Sequence, residues 1–520
     1  MSVDNSMPQF EPLTWTDAVY LTPEWILAAA FVLLIILDLA LPRRMGRNVI
    51  GWLTLAGFAA SLGAVLWRLA EMSAGALGEA PEIIRLLGDS YRIDQFASIL
   101  KLILLAAAIL IVLMSLGTVR REEIPHKSEF YYLMLPAVLG AMMMASSGDL
   151  VTLYLGLEVM SVTTYVLVAM RKHAAQSAEG AFKYVVTGGI SSALILFGMS
   201  YLYGLTGTTN LGRMAGMLQM AGAELQELLY VAVFMLVAGL GIKIAAAPFH
   251  TWAPDVYQGA PTPVTAFLAI VSKAAVFAVL FRIIYNLAFA LSASENPVGG
   301  DIFLLLLILA AAAMLVGTTA ALKQRNVKRL MALSGVANAG YLLVPIGVSI
   351  KGAHMANFGE FAFYLIAYVL MNVGAFAVIS IVQAAAGHEE VKGFSGLYYR
   401  APWTAAAMIV FILSLAGLPI SGGFFGKLFI LLGAAQSHAY WIVAIMVISS
   451  VISYYFYFAI IRQMFMRGTG EESEIRVPVT TGVVIWVSAV LTVALGIVPG
   501  WLAGWLNDHF SLLTDLMIRY

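Results

Sequence analysis

The sequence predicts an all-α, polytopic membrane protein with about fourteen transmembrane helices. Hydrophobic residues make up 61% of its 520 residues and charged residues only 11%, against about 25% charged residues in soluble domains. Its apolar stretches reach the roughly 20 residues that a helix needs to cross a bilayer, and they are too long for the strands of a membrane β-barrel. This composition excludes a soluble enzyme and a nucleic-acid binder with a basic face.

The apolar stretches divide the chain into four parts. These are a three-helix segment (1–129), two five-helix blocks (130–289 and 301–464) and a last helix with its tail (478–520). The N-terminal residues lack the pattern of a cleavable signal or an organelle transit peptide. The fourteen predicted spans are 24–41, 48–70, 95–117, 130–147, 150–170, 181–204, 228–248, 262–289, 301–321, 328–350, 357–384, 402–433, 440–464 and 478–504.

The distribution of Lys and Arg between the two sets of loops predicts the orientation. Seventeen of these residues fall on the side that holds the first loop and seven on the other side. Because cytoplasmic loops carry the excess of Lys and Arg, the first side is predicted to be cytoplasmic and both termini to lie outside. The seven basic residues assigned to the outer side are Arg68, Arg85, Arg92, Arg213, Arg282, Lys351 and Arg519.

The two five-helix blocks are predicted to be inverted repeats. They span 160 and 164 residues, and an odd number of helices in each copy forces tandem copies into opposite topology. Many secondary transporters are built in this way.

The fourth helix of each block, helix 7 and helix 12 of the chain, is predicted to be discontinuous. Helix 7 reads GLGIKIAAAPFHTWAP and is broken at Pro248, whereas helix 12 reads SLAGLPISGGFFGKLFIL and is broken at Pro419, Gly422 and Gly423. Proline removes a helix hydrogen bond and glycine weakens the helix. Matching breaks in two halves indicate a transport site; simple kinks without a function are the alternative.

Five lysines fall inside the predicted spans. A charge near the bilayer centre costs about 2.5–3.5 kcal/mol, so such residues are functional-site candidates by default. Lys273 lies near the middle of its helix, and Lys243 and Lys427 lie beside the two helix breaks. Lys183 lies about one turn from the predicted cytoplasmic end, where snorkelling alone could explain it. Lys101 lies about two turns from the outer end, and there we favour snorkelling.

Glu158 is the one acidic residue near the centre of a predicted span. Burial disfavours the charged forms of Glu and Lys, and a close Glu–Lys pair favours them again. Loosening or tightening such a pair therefore controls whether a lysine holds its proton, so the chemistry predicted is proton transfer. A neutral, hydrogen-bonded carboxylic acid that ties helices together is the alternative for Glu158. His250 follows the Pro248 break directly and stays open between a proton relay and a helix-end hydrogen bond.

The sequence predicts no cofactor in this chain. With no cysteine it cannot hold a Cys-ligated iron–sulfur cluster, a thiolate haem or a zinc–thiolate site. Its seven histidines are scattered and show no metal-ligand spacing. The segment GTTNLGRMAG contains glycines but lies between apolar spans, without the strand–turn–helix context of a dinucleotide site.

One run of residues carries a specific resemblance. GIKIAAAPFHTWAPDVYQGAPTPVTAFLAIVSKAAVF (residues 241–277) closely resembles the signature of the subunit N family of bacterial NADH–quinone oxidoreductase (respiratory complex I), antiporter-like subunits of its membrane arm. LYLGLEVMSVTTYVL, AFKYVVTGG, VKRLMALSGVANAGYLLV and LAGLPISGGFFGKLFIL match further segments in order. The resemblance covers about residues 25–510. Multisubunit sodium/proton antiporters typically read PDAHTEAPT where this chain reads PDVYQGAPT.

The resemblance implies functional residues at positions that the physical argument also selects. They are Glu158, Lys183, Lys243, Lys273 and Lys427. Asn338 departs from the pattern, since many relatives carry histidine there. The implied function is proton translocation in the bacterial inner (plasma) membrane along the central lysines, with Glu158 gating Lys243.

The resemblance also assigns the remaining components to partner subunits. Flavin, iron–sulfur clusters and quinone would lie in the other subunits of complex I, and other antiporter-like subunits would be neighbours in the membrane arm. A stand-alone or multisubunit cation/proton antiporter and a purely structural membrane spacer are the alternatives.

Overall fold

The computed structural model describes residues 14–42, 46–74, 83–119, 123–220, 226–293, 297–348, 356–466 and 475–510. Thirteen of the helices in these residues are long and apolar enough to cross a membrane. The first helices are α1 (Trp15–Tyr20), α2 (Thr22–Ala40), α3 (Asn48–Ala74), α4 (Gln95–Thr118), α5 (Lys127–Ser146), α6 (Leu150–Val168), α7 (Ala175–Thr206), α8 (Leu211–Met220), α9 (Gln226–Ile244), α10 (Ala253–Gly259) and α11 (Thr262–Phe267). The remaining helices are α12 (Lys273–Ala293), α13 (Pro297–Ala321), α14 (Val327–Gly347), α15 (Asn357–Ala386), α16 (Leu397–Arg400), α17 (Pro402–Ala416), α18 (Gly422–Gln436), α19 (Tyr440–Phe465), α20 (Val479–Ile497) and α21 (Pro499–His509).

The all-α polytopic fold predicted from the sequence is confirmed. Each predicted span has its helix, and the predicted span 402–433 is formed by the two shorter helices α17 and α18. The largest differences at the ends are in two places. Helix α7 begins at Ala175, six residues before the predicted start, and the predicted span 478–504 is interrupted at Val498, where Pro499 starts a separate helix. Proline at the first helical position is compatible with a new helix but not with continuation of the old one.

The break predicted in helix 7 is present just after Lys243. Helix α9 ends at Ile244, and Ala245 has a φ of +57°, so the chain leaves the helical direction there. The carbonyl of Ile242 accepts two hydrogen bonds at 3.0 Å, one from the Ala245 N–H and one from the Trp252 indole N–H. The backbone next to the break is therefore satisfied within the protein, as an apolar interior requires.

The break in helix 12 separates α17 from α18. Helix α17 ends at Gly417 in the left-handed region (φ +81°), a conformation that glycine adopts without strain. Helix α18 begins after Ser421, whose Oγ accepts a hydrogen bond from the Phe424 N–H. Lys427 lies on the second turn of α18, so its ammonium can reach the last carbonyls of α17.

Three helices form the interior of the bundle. The segment Thr262–Leu287 is buried throughout, Val327–Gly347 is buried except at Arg329, and most of Asn357–Ala386 is buried. The first segment contains α11, a π-helical stretch (Leu268–Ser272) and α12, which begins at Lys273. Single π turns inside α-helices often mark functional sites. Lys273 therefore lies on a segment that is buried along its whole length.

A short β-hairpin, absent from the sequence prediction, covers one end of the bundle. Strands β1 (Ile84–Leu86) and β2 (Tyr91–Ile93) pair antiparallel, with Leu86 opposite Tyr91. Tyr91 also bridges to Ser147 at the start of the α5–α6 turn. The hairpin thus fixes α4 against the first five-helix block at the predicted outer end.

Candidate functional site: a row of buried lysines

Lys243 lies on the last turn of α9 and faces α6. Its Nζ donates to Ser161 Oγ at 2.8 Å and to Tyr165 OH at 3.4 Å, and it lies 5.8 Å from the centroid of the Tyr165 ring. The side chain is 7% exposed. A hydroxyl, a phenol and a ring face thus solvate the ammonium.

Glu158 lies on the same side of α6, three residues before Ser161. It is partly buried and interacts with Tyr154, while its Oε1 is buried without a hydrogen-bond partner in the described part of the chain. The described salt bridges do not join Glu158 to Lys243, whose hydrogen bonds go to Ser161 and Tyr165. Lys243 therefore contacts α6 at Ser161 and Tyr165, and Ser161 lies about one turn along that helix from Glu158.

Lys273 is buried at the point where the π-helical stretch returns to α-helix. Its Nζ donates to the carbonyl oxygen of Gly335 on α14 at 2.7 Å. The absence of a side chain at Gly335 allows this approach, because a Cβ there would lie 3.0 Å from Lys273 Nζ and 3.4 Å from Tyr368 OH. The Tyr368 hydroxyl has no hydrogen-bond partner among the described residues.

Lys427 lies against the helix 12 break, as the sequence predicts. Its Nζ donates to the carbonyl oxygen of Leu415 at 2.8 Å and to that of Ala416 at 3.4 Å. The Nζ atom also lies 4.7 Å from the centroid of the Tyr341 ring. The carboxyl end of α17 carries partial negative charge, which favours a cation at this position.

Polar side chains lie between these three lysines, which we call the lysine row. On the Lys243 side, the Tyr165 ring contacts Tyr184, whose hydroxyl is 3.3 Å from Thr164 Oγ1 and also interacts with Ser272, the residue before Lys273. These hydroxyls connect the surroundings of Lys243 to those of Lys273.

On the Lys427 side the connection runs through α14. Asn338 Oδ1 accepts a hydrogen bond from Tyr364 OH at 2.7 Å, and the Tyr364 and Tyr341 rings are 6.3 Å apart. Asn338 Nδ2 donates to Ser334 Oγ at 3.3 Å, and Ser334 is bonded to Tyr457. The side-chain amide of Asn338 therefore bonds through both its oxygen and its nitrogen.

Lys183 is placed away from the lysine row. Its Nζ is 2.6 Å from Glu179 Oε1 and 2.6 Å from Asp255 Oδ2 at the predicted cytoplasmic end. Asp255 also accepts a hydrogen bond from Arg329 Nη1 at 2.5 Å. Burial alone would raise the pKa of the Asp255 carboxyl, but the bonds and positive charges of Lys183 and Arg329 hold that pKa below its usual range. Lys183 thus belongs to an ion-pair cluster between the two blocks.

His250 lies in the segment that links α9 to α10. It is partly buried, and its Nδ1 atom is buried without a hydrogen-bond partner in the described residues. Its carbonyl oxygen accepts from the N–H of Ala253, which starts α10. The histidine side chain is therefore placed beside the break, while its backbone helps to form the next helix.

The snorkelling expected of Lys101 is wrong. Lys101 is fully buried, and its Nζ lies 2.8 Å from Glu24 Oε1 and 3.0 Å from the Tyr91 hydroxyl. The Tyr91 hydroxyl itself donates to Glu24 at 2.8 Å. Glu24, on the first turn of α2, and the β-hairpin together supply a partner within the protein, so the ammonium does not extend to the bilayer surface.

Further buried or partly buried ion pairs, among them the following two groups, were not predicted from the sequence. Arg282, assigned to the outer loops, is fully buried and paired with Asp94 at 2.7 Å. At the other end, Glu389 Oε1 accepts from Lys328 Nζ at 2.7 Å and from Arg171 Nη1 at 3.2 Å. The position of Arg282 within predicted span 262–289 was the available signal for the first group.

A cavity of about 470 Å³ lies at the predicted cytoplasmic end. Its lining includes Arg171, His173, Thr262 and Gln383. Thr262 is the first residue of α11, so the cavity adjoins the helical segment that contains Lys273. Polar walls allow water to occupy a cavity of this size.

Comparison with known proteins places this arrangement in a family. Residues 147–453 match the family described as NADH:quinone oxidoreductase/Mrp antiporter, transmembrane. The matched segment contains the entire lysine row together with Glu158. The chain belongs to this family.

Relatives with high sequence identity support the assignment. The chain is 60% identical over 521 residues to NADH-quinone oxidoreductase subunit N of Paenibacillus sp. (strain JDR-2), a match that covers 99% of this chain and 100% of the relative. It is 31% identical, with a TM-score of 0.76, to a chain of respiratory complex I from Thermus thermophilus with bound aureothin, covering 93% of this chain and 99% of that one. A chain of the Mrp complex from Dietzia sp. DQ12-45-1b has a TM-score of 0.78 at 18% identity, covering 96% of this chain and 100% of that one. The Mrp likeness concerns the fold alone.

Proposed function

We propose that this chain is a proton-translocating membrane subunit of an NADH:quinone oxidoreductase. Protons move along the lysine row and are driven by redox chemistry in other subunits. The carrying observation is that Lys243, Lys273 and Lys427 are all buried in the bundle, and that hydroxyl and amide side chains lie between them. The full-length similarity to relatives named as subunit N supports the same function.

The burial of the row explains why it suits proton transfer. Each of the three ammonium groups is held by neutral oxygen atoms, with no carboxylate bonded to it in the described structure. Without a paired carboxylate, the charged form of a buried lysine receives little stabilisation. Each lysine can therefore release a proton to water or to a neighbouring hydroxyl and take one up again.

The path has a proposed direction and a proposed gate. Protons enter from the cytoplasm near the broken helix that contains Lys243. They pass along the row to Lys427 and leave outside. Glu158 gates the first step by holding or releasing Lys243, and Lys183 and His250 act at the entry side of the broken helix.

The proposed function also assigns this chain a place among its partner subunits and in the membrane. The flavin, the iron–sulfur clusters and the quinone site lie in partner subunits, and the absence of cysteine in this chain agrees with this for the iron–sulfur clusters. Other antiporter-like subunits flank it in the membrane arm. The chain lies in the bacterial inner membrane with both termini on the periplasmic side, and residues 130–289 and 301–464 form inverted repeats.

Substitution of Lys243 in the assembled complex tests the function. Lys243→Ala should lower both proton pumping and NADH:quinone reductase activity by at least about tenfold, because the row loses its first proton carrier. Lys172→Ala is the matched control, since it removes the same side chain from an exposed loop position. The proposal is wrong if Lys243→Ala assembles normally and pumps at the rate of the control.

A cation/proton antiporter is the second candidate. The matching family includes Mrp antiporters, and a chain of an Mrp complex has a similar fold. It predicts that the purified chain alone exchanges sodium or another cation for protons in proteoliposomes. The subunit proposal predicts no exchange by the isolated chain, and copurification of the chain with NADH dehydrogenase activity from the native membrane.

A further inference from the structure

Three polar side chains of α6 form one stripe that faces the end of α9. Glu158, Ser161 and Tyr165 are spaced three and four residues apart, which places them on a single helix face. Around this stripe α6 exposes apolar side chains, including Val151, Leu155 and Val162. The stripe therefore sets polar groups of α6 beside its exposed apolar side chains.

Lys243 occupies one end of this stripe in the structure. Its Nζ bonds to Ser161 Oγ at 2.8 Å and approaches Tyr165 OH at 3.4 Å. At the other end, the buried Oε1 of Glu158 has no hydrogen-bond partner among the described residues. A buried carboxylate oxygen without a partner is unfavourable, so an additional arrangement that satisfies it is expected.

We propose that Ser161 is a second docking position for the Lys243 ammonium, one helical turn from Glu158. This proposal rests on the proposed function and refines its gate. Three residues along an α-helix correspond to a rise of about 4.5 Å. The flexible four-carbon stem of lysine can cover this distance by rotation about its side-chain bonds, without movement of α6 or α9.

The two positions differ in what they do to the proton on Lys243. Beside Glu158 the ammonium is paired with a carboxylate, which favours the charged form. At Ser161 its partner is a neutral hydroxyl, and the Tyr165 ring leads towards Tyr184 and Ser272. Lys243 therefore keeps its proton while it is paired with Glu158. It passes the proton towards Lys273 while it is bonded to Ser161. Ser161 is a positioning residue in this scheme, since it carries no proton itself.

The test measures the proton-pumping rate per assembled complex in proteoliposomes with a pH-sensitive dye. Ser161→Ala removes the second position and leaves Lys243 on Glu158, so pumping should fall about tenfold, the factor for losing one hydrogen bond to a charged group. Ser161→Thr keeps the hydroxyl and should retain at least about half of the rate.

Ser191→Ala is the matched control. Ser191 is also buried, and its Oγ donates to the Gly239 carbonyl of α9 at 2.7 Å, one turn before Lys243. It ties the same helix to a neighbour without touching the lysine. Pumping by this variant should stay within about twofold of the wild-type rate.

A double mutant separates a docking position from a packing contact. If Ser161→Ala acts by leaving Lys243 on Glu158, the substitution should cause no further loss in a Glu158→Gln background. A packing role predicts the same fractional loss in both backgrounds. That second result, or wild-type pumping by Ser161→Ala, overturns the inference.

The Lys243→Ala and Ser161→Ala variants together distinguish failure of the docking position from failure of the proposed function. If Lys243→Ala stops pumping while Ser161→Ala does not change it, the lysine row stands and only the docking position is wrong. If Lys243→Ala itself pumps normally, the proposed function fails before Ser161 is tested.

Discussion

Arg282 and Asp94 form a bidentate ion pair in which neither side chain is exposed. Arg282 Nη2 lies 2.9 Å from Asp94 Oδ1 and 2.7 Å from Oδ2, and Arg282 Nε donates to the Ala145 carbonyl at 2.9 Å. Asp94 also caps α4 by accepting from the Ala97 N–H. One carboxylate therefore joins the N-terminal helices to α12, the helix that begins at Lys273.

Removal of one partner of this pair should be strongly destabilising. Asp94→Ala leaves a buried guanidinium without its counter-charge, a change that costs about 3–5 kcal/mol. We expect a large drop in the melting temperature of the purified complex, and recovery of much of it in Asp94→Ala/Arg282→Met. Asp38→Ala is the control, because the Asp38–Arg47 pair is partly exposed and such pairs contribute about 0–1 kcal/mol. Equal melting temperatures for the two single variants would contradict this role.

Lys101 is expected to support stability and not proton transfer. It is paired with Glu24 and Tyr91, outside the hydrogen bonds described for the lysine row. Lys101→Met should lower the melting temperature, because it leaves Glu24 buried without its cation, and Lys101→Met/Glu24→Gln should restore part of the loss. Pumping per assembled complex should remain at the wild-type rate in both variants. Slow pumping by a variant with a normal melting temperature would place Lys101 in the path.

Gly335→Ala should displace Lys273 without removing any charge. The new Cβ would lie 3.0 Å from Lys273 Nζ, so the ammonium must move by a few tenths of an ångström, which strains its bond to the Gly335 carbonyl. We expect proton pumping to fall several-fold while the complex still assembles. Gly189→Ala is the control, since a Cβ at Gly189 of α7 meets nothing within 4 Å. If Gly335→Ala and Gly189→Ala pump at the same rate, proton transfer does not depend on the position of Lys273 and this prediction is wrong.

Asn338 should tolerate histidine better than leucine. An imidazole nitrogen can accept the hydrogen bond that Tyr364 OH gives to Asn338 Oδ1, so Asn338→His should pump within about twofold of wild type. Asn338→Leu leaves the buried Tyr364 hydroxyl without its acceptor, at a cost of about 1–3 kcal/mol. Its pumping should therefore fall about tenfold. The reverse order of activities would show that the amide has a specific role of its own.

The sequence was sufficient for the spans and for the positions of the row. Apolar length and local helix breakers determine both, and these are properties of neighbouring residues. The start of the first span was predicted within two residues of Thr22, and the two breaks lie beside Lys243 and Lys427 as predicted.

What could not be predicted depends on contacts between distant parts of the chain. Lys101 was interpreted as snorkelling because its partner Glu24 lies on another helix, 77 positions away. Arg282 was counted with the outer loops because its partner Asp94 is 188 positions away. The proximity of Lys243 to Ser161 depends on the rotation of α6 about its own axis, which a helical pattern with polar residues on several sides leaves open.

The π-helical stretch before Lys273 has a geometric consequence for the helix that contains it. An extra residue within an α-helix rotates everything beyond it by about 100°. The direction in which Thr262 and Thr265 point at one end is therefore set independently of the direction of Lys273 and Arg282 at the other. A one-residue deletion within Leu268–Ser272 would leave the apolar composition almost unchanged, yet it would turn one half of the helix away from its partners. In this stretch of the chain, length is under tighter constraint than residue identity.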